Sequence, residues 1–320
     1  MIRVGINGFG RIGRCLTRHI LQDRPDMKIS HINASGTPEA NMHLLKYDTV
    51  HGRYTPNEQQ LQDITWTSSR EAPEWINTDI VFECTGAFND GDTAYAHIER
   101  GAKKVLISAP AKNVDRTVVY GVNHTDLTAG DAMVSNASCT TNCLAPLVKV
   151  LDHAFGIVRG QMTTVHSYTG DQGTIDKRHR DLYRARAAGS NMIPTSTGAA
   201  TALQHVYPTM AGKIKGSAIR VPTLNVSCVD LTVQFKQDVN EEMVNNAVRN
   251  ASRNGMAGII GYEEQPLVSS DYNTTTESCI FAPDQTRQVD NSLVRVLSWY
   301  DNEWAFSCRM ADVAEHMMSL

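Results

Sequence analysis

Ile2-Arg3-Val4-Gly5-Ile6-Asn7-Gly8-Phe9-Gly10-Arg11-Ile12-Gly13 begins as a short apolar run, passes through G-x-G-x-x-G and leads into an amphipathic stretch carrying Leu16 and Ile20. Apolar strand, glycine turn and helix in that order are what a dinucleotide-binding unit requires. Gly8, Gly10 and Gly13 allow a tight turn and close backbone approach, and Arg11 and Ile12 stand at the helix start that receives a pyrophosphate. Further strands are expected at 27–32, 80–84, 104–108 and 117–121, with a helix at 92–100 between two of them. Alternating strands and helices of this kind predict an α/β domain built on a doubly wound parallel sheet.

After residue 138 the pattern changes. Residues 161–167, 216–220, 226–235 and 293–299 read as an antiparallel set, with a helix over 241–252 lying on it. The second domain is therefore expected to be α+β. Between its first strands runs a long irregular stretch, 168–197, of the length that usually carries function. The last residues, from Trp304, read as a helix that packs back on the first domain. The boundaries that follow are 1–138, joined by 304–320, and 139–303.

The chain has 320 residues, enough for two domains that each bury a core, and a net charge of −4 with no long run of either sign. That balance gives no case for nucleic acid or an acidic membrane, and points to small-molecule partners. Seven cysteines without framework spacing fit a reducing compartment. No apolar stretch approaches the roughly 18 residues of a membrane span, so a soluble, cytoplasmic protein is expected.

Chemistry concentrates in Ser135-Asn136-Ala137-Ser138-Cys139-Thr140-Thr141-Asn142-Cys143, where a polar turn hands over to the apolar run 144–155. A sulfur at a helix start meets unpaired N–H groups and the positive end of the macrodipole, so the Cys139 thiol is expected below its free value, as a nucleophile. The alternative is a buried structural cysteine. His166, ending the strand pattern Met162-Thr163-Thr164-Val165-His166, is the best base among eleven histidines. Read alone, it would be a strand-end histidine bonded to backbone. Around the two lie groups suited to phosphate: Thr169, Asp171, Arg184 and Arg220, with Ser138, Thr140, Thr197 and Gly198 supplying hydroxyls and amides. No metal-ligand spacing stands out.

These residues give the chain a resemblance to the glyceraldehyde-3-phosphate dehydrogenase family from end to end. Besides the two stretches quoted above, it is carried by His166-Ser167-Tyr168-Thr169, Ala185-Arg186-Ala187-Ala188, Thr195 to Ala200, Arg220-Val221-Pro222-Thr223 and Trp299-Tyr300-Asp301-Asn302-Glu303-Trp304. The resemblance implies a homotetramer with a Rossmann-type cofactor domain and an antiparallel catalytic domain. It implies that Cys139 attacks an aldehyde, that His166 takes the proton, that hydride passes to a nicotinamide and that inorganic phosphate cuts the thioester. Thr169, Asp171, Arg184 and Arg220 then match the site for the phosphate of glyceraldehyde 3-phosphate, and Ser138, Thr140, Thr197 and Gly198 the site for the attacking phosphate. Asn302 matches the residue that holds the nicotinamide carboxamide, and Ser108 falls among the cofactor residues.

Ala34 departs from this pattern, standing where relatives that use NAD carry a carboxylate for the adenosine ribose. Without it a 2′-phosphate is tolerated, and Ser35 and Thr37 offer donors. Lys177 and Arg178 replace an apolar residue and a proline in a loop that, in the family, reaches a neighbouring subunit's ribose. The expected cofactor is NADP and/or NAD; the bland alternative for the basic pair is a solvated surface. Arg70 is a candidate for the adenine edge. Two other functions fit parts of the sequence: an erythrose-4-phosphate dehydrogenase, and a dinucleotide-binding redox sensor using Cys139 and Cys143.

Overall fold

The computed structural model describes residues 1–320, which form two compact units: Met1–Ser138 with Phe306–Leu320, and Cys139–Ala305. In the first, seven strands form one sheet in the order Thr65–Thr67, Met27–Asn33, Ile2–Asn7, Ile80–Glu83, Lys104–Ile107, Met133–Ser135 and Arg116–Thr117. Every pairing is parallel. Val4, Ile6, Ile32, Phe82 and Leu106 are wholly buried, as strands covered on both faces require. Winding goes outward from Ile2–Asn7 on one side and resumes with Ile80–Glu83 on the other. The C-terminal ends of these two strands therefore form a switch point, where such sheets bind ligands.

That point is held by a buried polar network. The Glu83 carboxylate accepts from Asn7 Nδ2 at 2.5 Å, from the Thr85 amide at 2.6 Å and from His97 Nε2 at 3.1 Å. Since Trp75 Nε1 donates to His97 Nδ1, the His97 proton sits on Nε2, facing Glu83. The expected 92–100 helix is two short helices, Gly91–Ala94 and Ala96–Glu99, and the 117–121 strand is only Arg116–Thr117. The C-terminal helix Trp304–Ser319 contributes its part from Phe306 onward to this unit, where Arg24 pairs with Asp312 and Glu315 at 3.2 and 2.8 Å.

The second unit is built on an eight-stranded sheet in the order Ile193–Thr195, Ile214–Val221, Ile157–Ser167, Ser227–Phe235, Leu293–Tyr300, Cys279–Phe281 and Ile260–Tyr262, with Arg287–Gln288 beside Leu293–Tyr300. Alternation along Ser227–Phe235 sends Val229, Leu231, Val233 and Phe235 into the core. Each such side chain contributes about 1.5–3 kcal/mol. The helices Ala199–Val206 and Glu241–Arg253 each pack on Cys139–Phe155 in this unit.

The expected antiparallel set is mixed. Ile157–Ser167 pairs with Ile214–Val221 in parallel, putting His166 beside Arg220. The reason lies in the connection: a crossover containing Ala199–Val206, not a hairpin, joins the two strands. Within 168–197 the structure places a 3₁₀ turn at Ala188–Ser190 and the short strand Ile193–Thr195. Ile175, Leu182, Tyr183 and Met192 in this stretch are 63–81% exposed.

Candidate functional site

The glycine turn of the first unit is shaped by close approach. Gly8 has φ +98°, and a Cβ on Gly13 would lie 2.1 Å from the Gly8 carbonyl oxygen, so neither tolerates a side chain. A Cβ on Gly10 would meet nothing within 4 Å. Gly10 caps the helix Arg11–Asp23 without any side-chain bond. Open space in front of uncapped N–H groups fits a pyrophosphate. Gly8, Gly10, Ala34, Ser35, Arg70 and Thr85 line one cleft there, of about 710 Å³. Ser108 lies beyond the end of Lys104–Ile107, its amide on the Glu83 carbonyl and its hydroxyl on the half-buried Cys84 thiol.

Two sequence candidates for the cofactor have other work. The Arg11 guanidinium is paired through two bonds with Asp48. Burial raises the Asp48 carboxyl, but Arg11 and the His51 and Val50 amides outweigh it and hold the group well below the carboxylate range. Arg11 thus offers a ligand its backbone. Thr37 caps the helix Pro38–Lys46, its Oγ1 accepting from the Ala40 amide at 3.3 Å while its hydroxyl bonds Glu39. It is no free donor, and Glu39 adds negative charge beside it. Ala34 is buried; Ser35 is exposed.

In the second unit Cys139 is the first residue of its helix, which starts five residues before the apolar run. Its half-buried Sγ lies 3.6 Å from His166 Nε2. His166 Nδ1 is 2.6 Å from the Ser167 carbonyl, which only accepts, so Nδ1 carries the proton and Nε2 turns its lone pair to the sulfur. Burial, then the charge of Arg220, lowers the His166 pKa to about 3, and the ring is neutral. The expectation of a depressed thiol is not met: burial pushes Cys139 up, against the opposing pull of Arg220, the Thr140 amide and the Thr140 hydroxyl. Desolvation outweighs the helix terminus. Burial thus acts against charge on both members of the pair.

The phosphate candidates divide. Arg220 Nη1 donates to the Ser167 carbonyl and to Thr169 Oγ1, each at 3.0 Å, and its buried Nε has no partner in the protein. Arg184 is committed, through Nη1 to Asp171 at 2.9 Å and through Nε to Thr195 at 3.0 Å. Thr169 Oγ1 donates to Asp171 at 2.5 Å. Asp171 therefore positions Arg184 and Thr169, and its own charge would repel an anion. Gly198 caps the helix Ala199–Val206 without a side-chain bond, and Thr197 Oγ1 accepts from the Ala199 amide at 3.2 Å. Ser138 directly precedes Cys139. Lys177 and Arg178 are exposed, on the loop.

Sequence reasoning overlooked Tyr300. Wholly buried, it sets its hydroxyl 2.8 Å from Thr140 Oγ1 and 2.9 Å from Thr164 Oγ1. The Thr140 hydroxyl in turn pulls the Cys139 thiol down against its burial, so Tyr300 backs a residue that acts on the sulfur. An aromatic hydroxyl inside the Trp299-to-Trp304 motif was the available signal. Asp301, also buried, accepts from the Glu303 and Trp304 amides, Asn225 Nδ2 and the Thr274 amide at 2.7–2.9 Å, which fixes the chain on both sides of Asn302.

A family model described as glyceraldehyde 3-phosphate dehydrogenase, C-terminal domain, matches residues 138–302, and one described as the NAD binding domain of the same family matches residues 2–91. The chain is 51% identical over 327 residues to glyceraldehyde-3-phosphate dehydrogenase of Cereibacter sphaeroides, covering 99% of this chain and 98% of that one. It is 50% identical over 332 residues to that of Xanthobacter flavus, covering 100% and 99%. With that of Geobacillus stearothermophilus it shares 48% over 332 residues, covering 99% and 98%.

Proposed function

Because the chain belongs to the glyceraldehyde-3-phosphate dehydrogenase family, we propose the following division of labour for its reaction, the reversible phosphorylating oxidation of glyceraldehyde 3-phosphate to 1,3-bisphosphoglycerate with NAD or NADP. Cys139 Sγ attacks the aldehyde carbon as its proton passes to His166 Nε2. The imidazolium returns that proton to the alkoxide, giving a thiohemiacetal. Nε2 takes the hydroxyl proton again as hydride departs and the thioester forms. The bound nicotinamide supplies the hydride acceptor. A phosphate oxygen then adds to the thioester carbonyl, the carbon–sulfur bond breaks, and the thiolate recovers its proton from the imidazolium.

The 3.6 Å approach of Cys139 Sγ to an Nε2 freed as acceptor by the Ser167 carbonyl carries this reading. We assign binding of the dinucleotide's adenosine and pyrophosphate to the first unit, and covalent chemistry, with Asn302 for the nicotinamide carboxamide, to the second. Arg220 and Thr169 receive the substrate phosphate, with Arg184 and Asp171 behind them; Ser138, Thr140, Thr197 and Gly198 receive the attacking one. Use of NADP is supported by the missing carboxylate at Ala34, the exposed Ser35 and the basic pair Lys177 and Arg178, and opposed by Glu39. The exposed apolar side chains of Ile175, Leu182, Tyr183 and Met192 favour a contact with a second copy, in keeping with a homotetramer. Seven unbridged cysteines suit a cytoplasmic setting, and no helix is long and apolar enough to cross a membrane.

The test is Cys139→Ser, followed by reduced-cofactor formation from glyceraldehyde 3-phosphate and phosphate. Turnover is expected to vanish while dinucleotide binding stays near wild type. A serine variant that keeps substantial turnover refutes the nucleophile.

A further inference from the structure

Two buried serines from neighbouring strands meet behind Asn302. Ser167 ends Ile157–Ser167, Ser227 begins Ser227–Phe235, and Asn302 lies just beyond Leu293–Tyr300. Ser167 Oγ and Ser227 Oγ each lie 2.9 Å from Asn302 Oδ1, and the two hydroxyl oxygens are 3.4 Å apart. The Ser167 amide donates to Ser227 Oγ at 3.1 Å. Both serines are at most 1% exposed and Asn302 is 5% exposed.

The hydrogens decide which way round the amide stands. Each serine hydroxyl has one proton to place and is closed off from bulk solvent. With Oδ1 inward, both protons find the same acceptor, which has two lone pairs for them. With the amide reversed, its NH₂ would face two hydroxyl oxygens, one already taken by the Ser167 amide. The two serine protons would then have only each other's oxygens, so at least one would be buried without an acceptor. Oδ1 is therefore the inward atom, and Nδ2, which makes no bond within the protein, is the atom left for a ligand.

We infer that Ser167 and Ser227 are positioning residues that fix the Asn302 amide with its nitrogen outward, so that it donates to the carbonyl oxygen of a nicotinamide carboxamide. The inference rests on the assignment of Asn302 to that carboxamide. An amide held one way round discriminates between the two ends of another amide. A free one serves either end by turning over. The serine pair thereby sets which end of the carboxamide Asn302 holds, although neither serine touches the cofactor.

Calorimetric titration of the full-length enzyme tests this with two ligands, the natural dinucleotide and its 3-acetylpyridine analogue. The analogue keeps the carbonyl but replaces NH₂ by a methyl group. Wild-type protein is expected to bind both within about threefold, since the atom it reads is present in each. In Ser167→Ala/Ser227→Ala the amide is free to turn over. Both ligands then weaken, and the acetyl analogue falls behind by a further factor of about two, because only the half of the population with nitrogen outward can bind it. A merely structural role would weaken both alike and leave their ratio unchanged. A ratio unchanged in the double variant overturns the inference, as does wild-type rejection of the analogue. Asn302→Ala separates the two levels. If it binds the natural dinucleotide as well as wild type does, the carboxamide assignment fails and takes the inference with it. If it binds more weakly while the serine variant keeps its ratio, the assignment stands and the orienting role alone is lost.

Discussion

Replacing Arg220 by Gln removes a charge that serves two parts of the site at once. The parallel pairing sets Arg220 beside His166, Nη1 is anchored on the Ser167 carbonyl and Thr169, and Nε is buried without a partner. A substrate phosphate that takes Nε gains a charge-assisted bond of about 1.5–3 kcal/mol. Its loss is expected to raise KM for glyceraldehyde 3-phosphate roughly 10- to 150-fold while hardly changing KM for unphosphorylated glyceraldehyde. The same guanidinium pulls the Cys139 thiol down against its burial, so the thiol climbs further without it and alkylation by a neutral iodo reagent near pH 7 slows. Steady-state rates with the two aldehydes and alkylation rates across pH measure both effects, and a melting curve confirms folding. Arg220→Lys should separate them, since it keeps the charge but loses the planar fork: alkylation recovers, KM does not fully. A KM for the phosphorylated aldehyde within about threefold of wild type, together with unchanged alkylation, would refute the assignment of Arg220 to both tasks.

Tyr300→Phe leaves Thr140 and Thr164 without their shared partner in a buried site, and denaturant unfolding should report a loss of about 1–3 kcal/mol; an unchanged midpoint would mean the two threonines pair elsewhere. His166 is folded with its pKa near 3, below an unfolded value of about 6.5, so it favours the native state above pH 6.5 and this contribution is lost as pH falls toward 3. His166→Asn should accordingly flatten the acid limb of the stability profile over that window and slow turnover roughly 10²- to 10⁴-fold. An equally steep acid limb in the variant would count against a buried neutral ring. Ala34→Asp should shift preference from NADP toward NAD, by restoring a ribose acceptor and setting a charge against the 2′-phosphate; Kd ratios that do not move would show that residue 34 does not face the ribose.

Local chemistry was legible because it is written in short stretches. Gly8 and Gly13 could be assigned to a tight turn because φ +98° at one, and a carbonyl 2.1 Å from a would-be Cβ at the other, leave no other residue. Cys139 at a helix start followed from a polar turn meeting an apolar run. Individual side chains were less legible. Arg11 and Thr37 were chosen for their place near a ligand, yet Asp48 and the cap of Pro38–Lys46 claim them. Tyr300 went unnoticed because its partners lie 136 and 160 residues away.

The sequence by itself determined the two classes of domain and the glycine turn, and it singled out Cys139, His166, Arg184 and Arg220 as candidates, since each depends on residue type and near-neighbour spacing. Tertiary structure alone decided the parallel pairing that brings Arg220 to His166, the burial that acts against charge on the Cys139 thiol and the imidazole, and the serine pair that fixes the Asn302 amide. Proton positions and pKa values answer to desolvation and to partners brought together by folding, and no local pattern of residues specifies either.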